Sequence, residues 1–199
     1  GTGAGTVDDP GDMMIIGNTT PRYSYSFRIE ASWNGFDISA FFQGVGKRDW
    51  YPTANKDDIY GANQFWQLYG YTIPSFITYD FMDDVWSEQN LGGYFPRLRP
   101  IQSYNGGPLG QNNDRYLQSV AYLRFKNLTI GYTLPVLKKY LSKLRIYVSG
   151  ENLCYWSPLK KHCKLIDPEL AISSGTYKGG TGTGYTMPRT FSFGVDITF

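Results

Sequence analysis

The stretch Arg189-Thr190-Phe191-Ser192-Phe193-Gly194-Val195-Asp196-Ile197-Thr198-Phe199 decides the fold. Phe191, Phe193, Val195, Ile197 and Phe199 share one parity; Thr190, Ser192, Gly194, Asp196 and Thr198 share the other. Alternation this strict predicts a β-strand with one oily face and one wet face. The oily side carries three aromatics and two β-branched residues, too apolar a set to face water. The wet side carries the Asp196 carboxylate, so it does not belong in a dry core. Two settings satisfy both faces. One is an antiparallel strand laid on a soluble sandwich core. The other is a strand of a transmembrane barrel, where apolar residues meet lipid and polar residues meet a wet lumen. The stretch is long enough to cross a bilayer at a tilt, which takes about 9–11 residues.

The same pattern recurs upstream. Tyr23, Tyr25, Phe27, Ile29, Ala31 and Trp33 alternate with Ser24, Ser26, Arg28, Glu30 and Ser32. Asn34-Gly35 follows, the strongest two-residue hairpin signal, and Phe36, Ile38, Ala40 and Phe42 alternate again. A two-residue turn pairs position 33 with 36, so Trp33 and Phe36 fall on the same oily face at the turn end. In 117–133, Leu123 and Phe125 have one parity and Leu128, Ile130 and Tyr132 the other. An extra residue at Lys126-Asn127, a β-bulge, restores the register. Leu144, Ile146 and Val148 alternate with Arg145, Tyr147, Ser149 and Glu151. The expected strands are therefore 23–33, 36–44, 117–133, 144–153 and 187–199, with long loops at 45–116 and 154–186. Short and long connections alternate, as in a barrel with one plain rim and one elaborate rim.

Composition agrees with an all-β chain. Of 199 residues, 17% are aromatic and 23 are glycine, while runs of helix-forming Leu and Ala are scarce. The net charge of +2 and the lack of a basic cluster speak against nucleic-acid binding. No run of about 18 apolar residues exists, so no transmembrane helix is expected; this says nothing against a barrel. Gly1 to Gly5 reads as the middle of a loop, so the expectation is a piece of something longer. Asp8, Asp9 and Asp12 lack EF-hand spacing and read as a solvated turn rather than a calcium loop. Cys154 and Cys163 are expected in one loop, either as a short-range disulfide or as two thiols.

Several segments occur in an order that resembles a known family. They are Ile16-Gly17-Asn18-Thr19-Thr20-Pro21, Phe41-Phe42-Gln43-Gly44, Phe95-Pro96-Arg97-Leu98, the run from Tyr122 to Pro135, that from Leu144 to Leu153, Asp167-Pro168-Glu169 and Pro188-Arg189-Thr190-Phe191. Together they resemble the C-terminal end of SusC/RagA-type TonB-dependent outer-membrane transporters of Bacteroidetes. The chain also ends on an aromatic, Phe199, as outer-membrane barrels commonly do. The resemblance implies an all-β fold, the last five strands of a 22-stranded transmembrane barrel, with 1–22 as extracellular loop and 23–199 as barrel. It implies uptake of oligosaccharides or peptides across the outer membrane of a Gram-negative cell, with a SusD-like lipoprotein as partner. It implies contact with TonB through a plug that has no counterpart here, and no cofactor or enzymatic activity. The rival reading is a soluble secreted β-sandwich that binds glycans, with Phe27, Ile29, Phe193 and Val195 under a second sheet.

Candidate site residues follow from chemistry. Aromatic planes stack on sugar C–H faces and anchor peptides, which selects Trp66, Tyr69, Tyr71, Trp86, Tyr94 and Trp156 in the long loops. Packing of loop on loop is the competing role for each. Arg28, Glu30, Asp37, Arg145, Glu151 and Asp196 are expected to face the lumen as a network of ion pairs. His162 is the single histidine and stands in a loop, so no catalytic group is expected, and no metal-ligand spacing joins it to the cysteines.

Overall fold

A computed structural model describes residues 14–51, 83–95, 97, 114–135, 141–164, 166–171 and 187–199. Its elements in chain order are β1 (Ser24–Trp33), β2 (Phe36–Val45), β3 (Asp49–Trp50), β4 (Gln118–Ser119), β5 (Tyr122–Leu134), β6 (Lys143–Trp156) and β7 (Thr190–Thr198), with 3-10 turns at Asp114–Tyr116 and Pro158–Lys161. No α-helix occurs among the described residues. The chain forms two compact units. The described part of the first is 14–20, 49–51, 83–95, 97 and 114–118; the second holds 21–48, 119–135, 141–164, 166–171 and 187–199.

The second unit is one antiparallel sheet in the order β1-β2-β5-β6-β7. The Asn34-Gly35 turn sets its first register. Both residues have positive φ, 48° and 85°, as a primed hairpin turn requires, and Trp33 pairs with Phe36. On one face the register then sets apolar residues against apolar ones. Phe27 meets Phe42, which meets Phe125; the rings stack with centroids 4.9 Å and 4.4 Å apart. Ile38 meets Ile130, Ile130 meets Val148, and Val148 meets Phe193. Aromatic and β-branched cross-strand pairs of this kind add about 0.2–1 kcal/mol each.

The parity change in β5 is a bulge. Phe41 and Phe42 face Asn127 and Phe125, leaving Lys126 as the extra residue. On the other side Phe125 and Asn127 face Cys154 and Glu151, so β6 also irregularly spans this level, with Asn152 at φ 51°. Pairing past the bulge carries β6 on to Trp156. Cys154 is thus a strand residue, not a loop residue as the alternation alone suggested. It and Cys163 are thiols, not a disulfide.

No second layer covers the apolar face among the described residues. Phe27, Ile29, Phe193 and Val195 are 44%, 56%, 71% and 47% exposed. The sandwich reading expects these four in a dry core; among the described residues they lie open instead. Both outer strands, β1 and β7, also keep one unpaired edge within this sheet.

The first unit is smaller. β3 and the start of β4 pair as a short ladder, and Trp50, Phe95, Val85 and Tyr116 are buried. Asn18 closes a local loop: its N–H donates to Asp49 Oδ2 at 2.9 Å and its side-chain oxygen accepts from Thr20 N at 2.9 Å.

Candidate functional site

The polar face of the sheet follows from the same alternation. Across β2, β5, β6 and β7, one row runs Asp37, Gly131, Tyr147, Gly194. Gly131 is what lets charges meet over β5. Arg145 on β6 reaches across it and grips Asp37 on β2 with two bonds, Nε to Oδ1 at 2.9 Å and Nη2 to Oδ2 at 2.6 Å. Its remaining arm, Nη1, reaches Asp196 on β7 at 3.0 Å. The guanidinium also stands 4.9 Å from the Tyr147 ring centroid. A planar five-donor fork suits such a three-strand clamp, and Lys could not replace it.

A Cβ on Gly131 would sit 2.5 Å from Arg145 Nη2 and 2.7 Å from Asp37 Oδ1. Gly131→Ala should therefore part the bridge and lower stability by about 1–2 kcal/mol, read as a lower unfolding midpoint. In an Arg145→Met background the same change should cost far less. Equal losses in both backgrounds would mean that Gly131 serves something other than the clamp.

The other charges on this face are more loosely held. Arg28 and Glu30 lie 3.5 Å apart in the open, and Ser39 Oγ donates to Glu30 at 3.3 Å. An exposed pair of this kind contributes little to stability. Glu151 is exposed and makes no ion pair among the described residues. The six charged candidates thus resolve into one three-residue clamp, one loose pair and one lone carboxylate.

A second polar cluster, which the sequence reading did not single out, ties the 157–171 segment to β5. Arg124 and Asp167 are buried, with side chains 3% and 4% exposed, and form an ion pair. Arg124 Nε lies 3.4 Å from Glu169 Oε2. Glu169 also accepts from Tyr122 OH at 2.8 Å and from Lys126 Nζ at 3.0 Å. The bulge explains the convergence, because it delivers Lys126 to the same acidic turn as Arg124. Tyr155 stacks under the Arg124 guanidinium at 4.9 Å, and Ser157 Oγ donates to Ala121 O at 2.7 Å. Arg48 Nη2 donates to Ala171 O at 2.7 Å, and burial draws the Arg48 pKa down from its ordinary value. A guanidinium stays charged through such a shift. The available signal was a charged residue, Arg124, on the wet parity of β5 and an Asp-Pro-Glu turn 43 residues later.

The loop aromatics separate. Trp66, Tyr69 and Tyr71 lie outside the described residues. Trp86, in the first unit, is 36% exposed just before a tight turn, and its backbone N–H donates to Phe95 O at 2.9 Å. Tyr94 packs edge-on against Phe95 and Tyr116 at 5.1 Å and 5.7 Å and donates to Arg115 O. Trp156 shares the apolar face with Leu123 and is 55% exposed. No cluster of metal-ligating side chains occurs among the described residues.

No family model matches the chain. A protein described as TonB-dependent receptor P3 from Formosa agariphila is 28% identical over 198 residues, covering 94% of this chain and 17% of its own length. Among solved structures, the RagAB peptide importer in its closed-closed state superposes with a TM-score of 0.54 at 20% identity, over 93% of this chain and 18% of that one. A second structure, of the RagAB peptide transporter, gives 0.52 at 20% identity with the same coverage. The chain is thus similar to a TonB-dependent receptor in sequence and to a segment of the RagAB transporter in fold, as the segment pattern implies. It spans less than a fifth of the length of either.

Proposed function

We propose that this chain is wall and rim of a TonB-dependent outer-membrane transporter, contributing the last five strands of a 22-stranded barrel. The observation that carries the reading is the five-stranded sheet, with an apolar face left uncovered among the described residues and an ion-paired polar face. A lipid contact accounts for the first and a water-filled lumen for the second. Strand length agrees: β1 and β2 have 10 residues each, enough for a tilted crossing of about 9–11. Aromatics stand at both ends of the apolar face, with Trp33, Phe36 and Tyr132 near the hairpin turn and Tyr25 and Trp156 at the opposite end. Interfacial belts have this form. On this reading Trp156 meets the membrane surface, and the substrate contacts fall to the other loop aromatics, of which Trp86 is exposed among the described residues.

The cargo is an oligosaccharide or a peptide, received beneath a SusD-like lipoprotein. Similarity to a peptide importer supports the class, and open aromatics suit either ligand. The similar proteins are a receptor and a transporter, which favours passage over chemistry.

The membrane reading has a direct test in the transporter that contains this chain, reconstituted in liposomes with both cysteines changed to serine. A spin label at Phe193→Cys should collide with oxygen dissolved in lipid, and one at Ser192→Cys with a water-soluble nickel complex. Equal access of both labels to water would sink the barrel.

A further inference from the structure

At the end of the sheet where the long connections leave, the covered face is the polar one. Tyr25 and Trp156, on the apolar side at that level, are exposed, whereas Tyr122 and Arg124, on the polar side, are buried. Away from that end the polar side opens, and the side chains of Arg28, Glu30 and Asp196 are all more than half exposed. The cover is the chain's own 166–171. It is held to β6 where Tyr155 OH donates to Ile166 O at 3.4 Å, and to β5 through Tyr122, Arg124 and Lys126. Just past β2, Arg48 donates to Ala171 O. The cover therefore crosses the ends of three adjacent strands, two strand spacings or about 10 Å. Its own turn is closed, since Asp167 O accepts from Leu170 N at 3.0 Å and from Ala171 N at 3.1 Å. Ile166, Asp167, Pro168 and Ala171 are buried.

A layer laid on a sheet stands about 10 Å off it. On a wall that borders a water-filled passage, that depth is taken from the passage. Resting on the membrane reading given above, we infer that 166–171 is a fixed sill inside the lumen mouth. It lets extended, unbranched chains pass along this wall and turns back branched or folded ones. Both of its carboxylates, Asp167 and Glu169, are ion-paired down onto β5, so the restriction is a standing one and not a swinging lid.

The test uses the full transporter in outer-membrane vesicles, with both native cysteines changed to serine and Ser149→Cys as the target. Ser149 lies on the polar side of β6, farther from the mouth than Tyr155. The probes are linear and branched maleimide-polyethylene glycols of equal mass, and labelling is timed by gel shift. With the sill intact, the linear reagent should react much faster than the branched one. Replacing 158–170 by a short glycine linker should bring the two rates together. Arg124→Met keeps the chain length but detaches the sill part of the time, and should speed the branched reagent roughly tenfold with little effect on the linear one. If the linker variant fails to insert, Arg124→Met decides alone. Equal rates for the two reagents with the sill intact would overturn the inference, as would an unchanged ratio in Arg124→Met. A thiol that neither reagent reaches would overturn it too, because the passage would then be shut and not narrowed. The spin-label experiment reports on the barrel separately, so a protein that inserts correctly yet admits the branched reagent freely refutes only this inference.

Discussion

Arg124→Met should destabilise the anchor of the 157–171 segment by about 3–5 kcal/mol. The reason lies in what remains. Asp167 is almost wholly buried, and its principal cation is Arg124. Removing that cation strands a carboxylate away from water, and the loss exceeds the worth of the bond itself. Protease nicking near Lys160 and Lys161, followed over time in intact vesicles, should quicken at least tenfold. The double variant Arg124→Met/Asp167→Asn removes the stranded charge but keeps an oxygen to accept from Glu169 N, now at 3.0 Å. It should recover most of the loss. A double variant as labile as the single one would show that desolvated charge is not the cause.

Gly44→Val should destabilise the sheet by about 2–4 kcal/mol. A side chain there overlaps the Tyr122 carbonyl oxygen on the neighbouring strand and comes within 2.6 Å of Tyr25 Cζ. The Tyr25 ring fills the space that Gly44 leaves, and its hydroxyl donates to Tyr122 O at 3.2 Å. A flexible side chain can swing aside, but a strand carbonyl cannot move without opening the ladder. Urea unfolding from lipid vesicles should show the lowered midpoint. Adding Tyr25→Ala should relieve only the ring and leave the backbone clash. Full rescue by that second change would refute the close strand approach.

How much of this was legible depends on the range of the interaction. The faces of β1, β2 and β7 can be read directly, because alternation is a local property of neighbouring residues. The bulge was legible too, since an extra residue flips parity, and the parity of Leu123 and Phe125 differs from that of Leu128 and Ile130. The Asn34-Gly35 turn fixed its own pairing. The Arg124 anchor was not legible as a pairing, because its partners lie 43 and 45 residues away and the wet parity of Arg124 does not say which carboxylates it meets. The three-strand clamp was half legible. Arg145, Asp37 and Asp196 shared the wet parity, but only the strand order, with β5 between β2 and β6, brings Arg145 over Gly131 to Asp37. The end of β6 was misjudged because Asn152 interrupts the oily series before Cys154 and Trp156 resume it.

The unpaired margins of β1 and β7 carry a further consequence. Each exposes a row of amide and carbonyl groups to which another copy could add, and the two margins are not the same surface. Repeated addition of one margin to the other is heterologous and has no built-in stopping point, so isolated sheets would grow as filaments. Only a circuit of strands that returns to its own start ends that growth. In the barrel proposed above, the strands that complete the circuit would therefore also keep these five from polymerising.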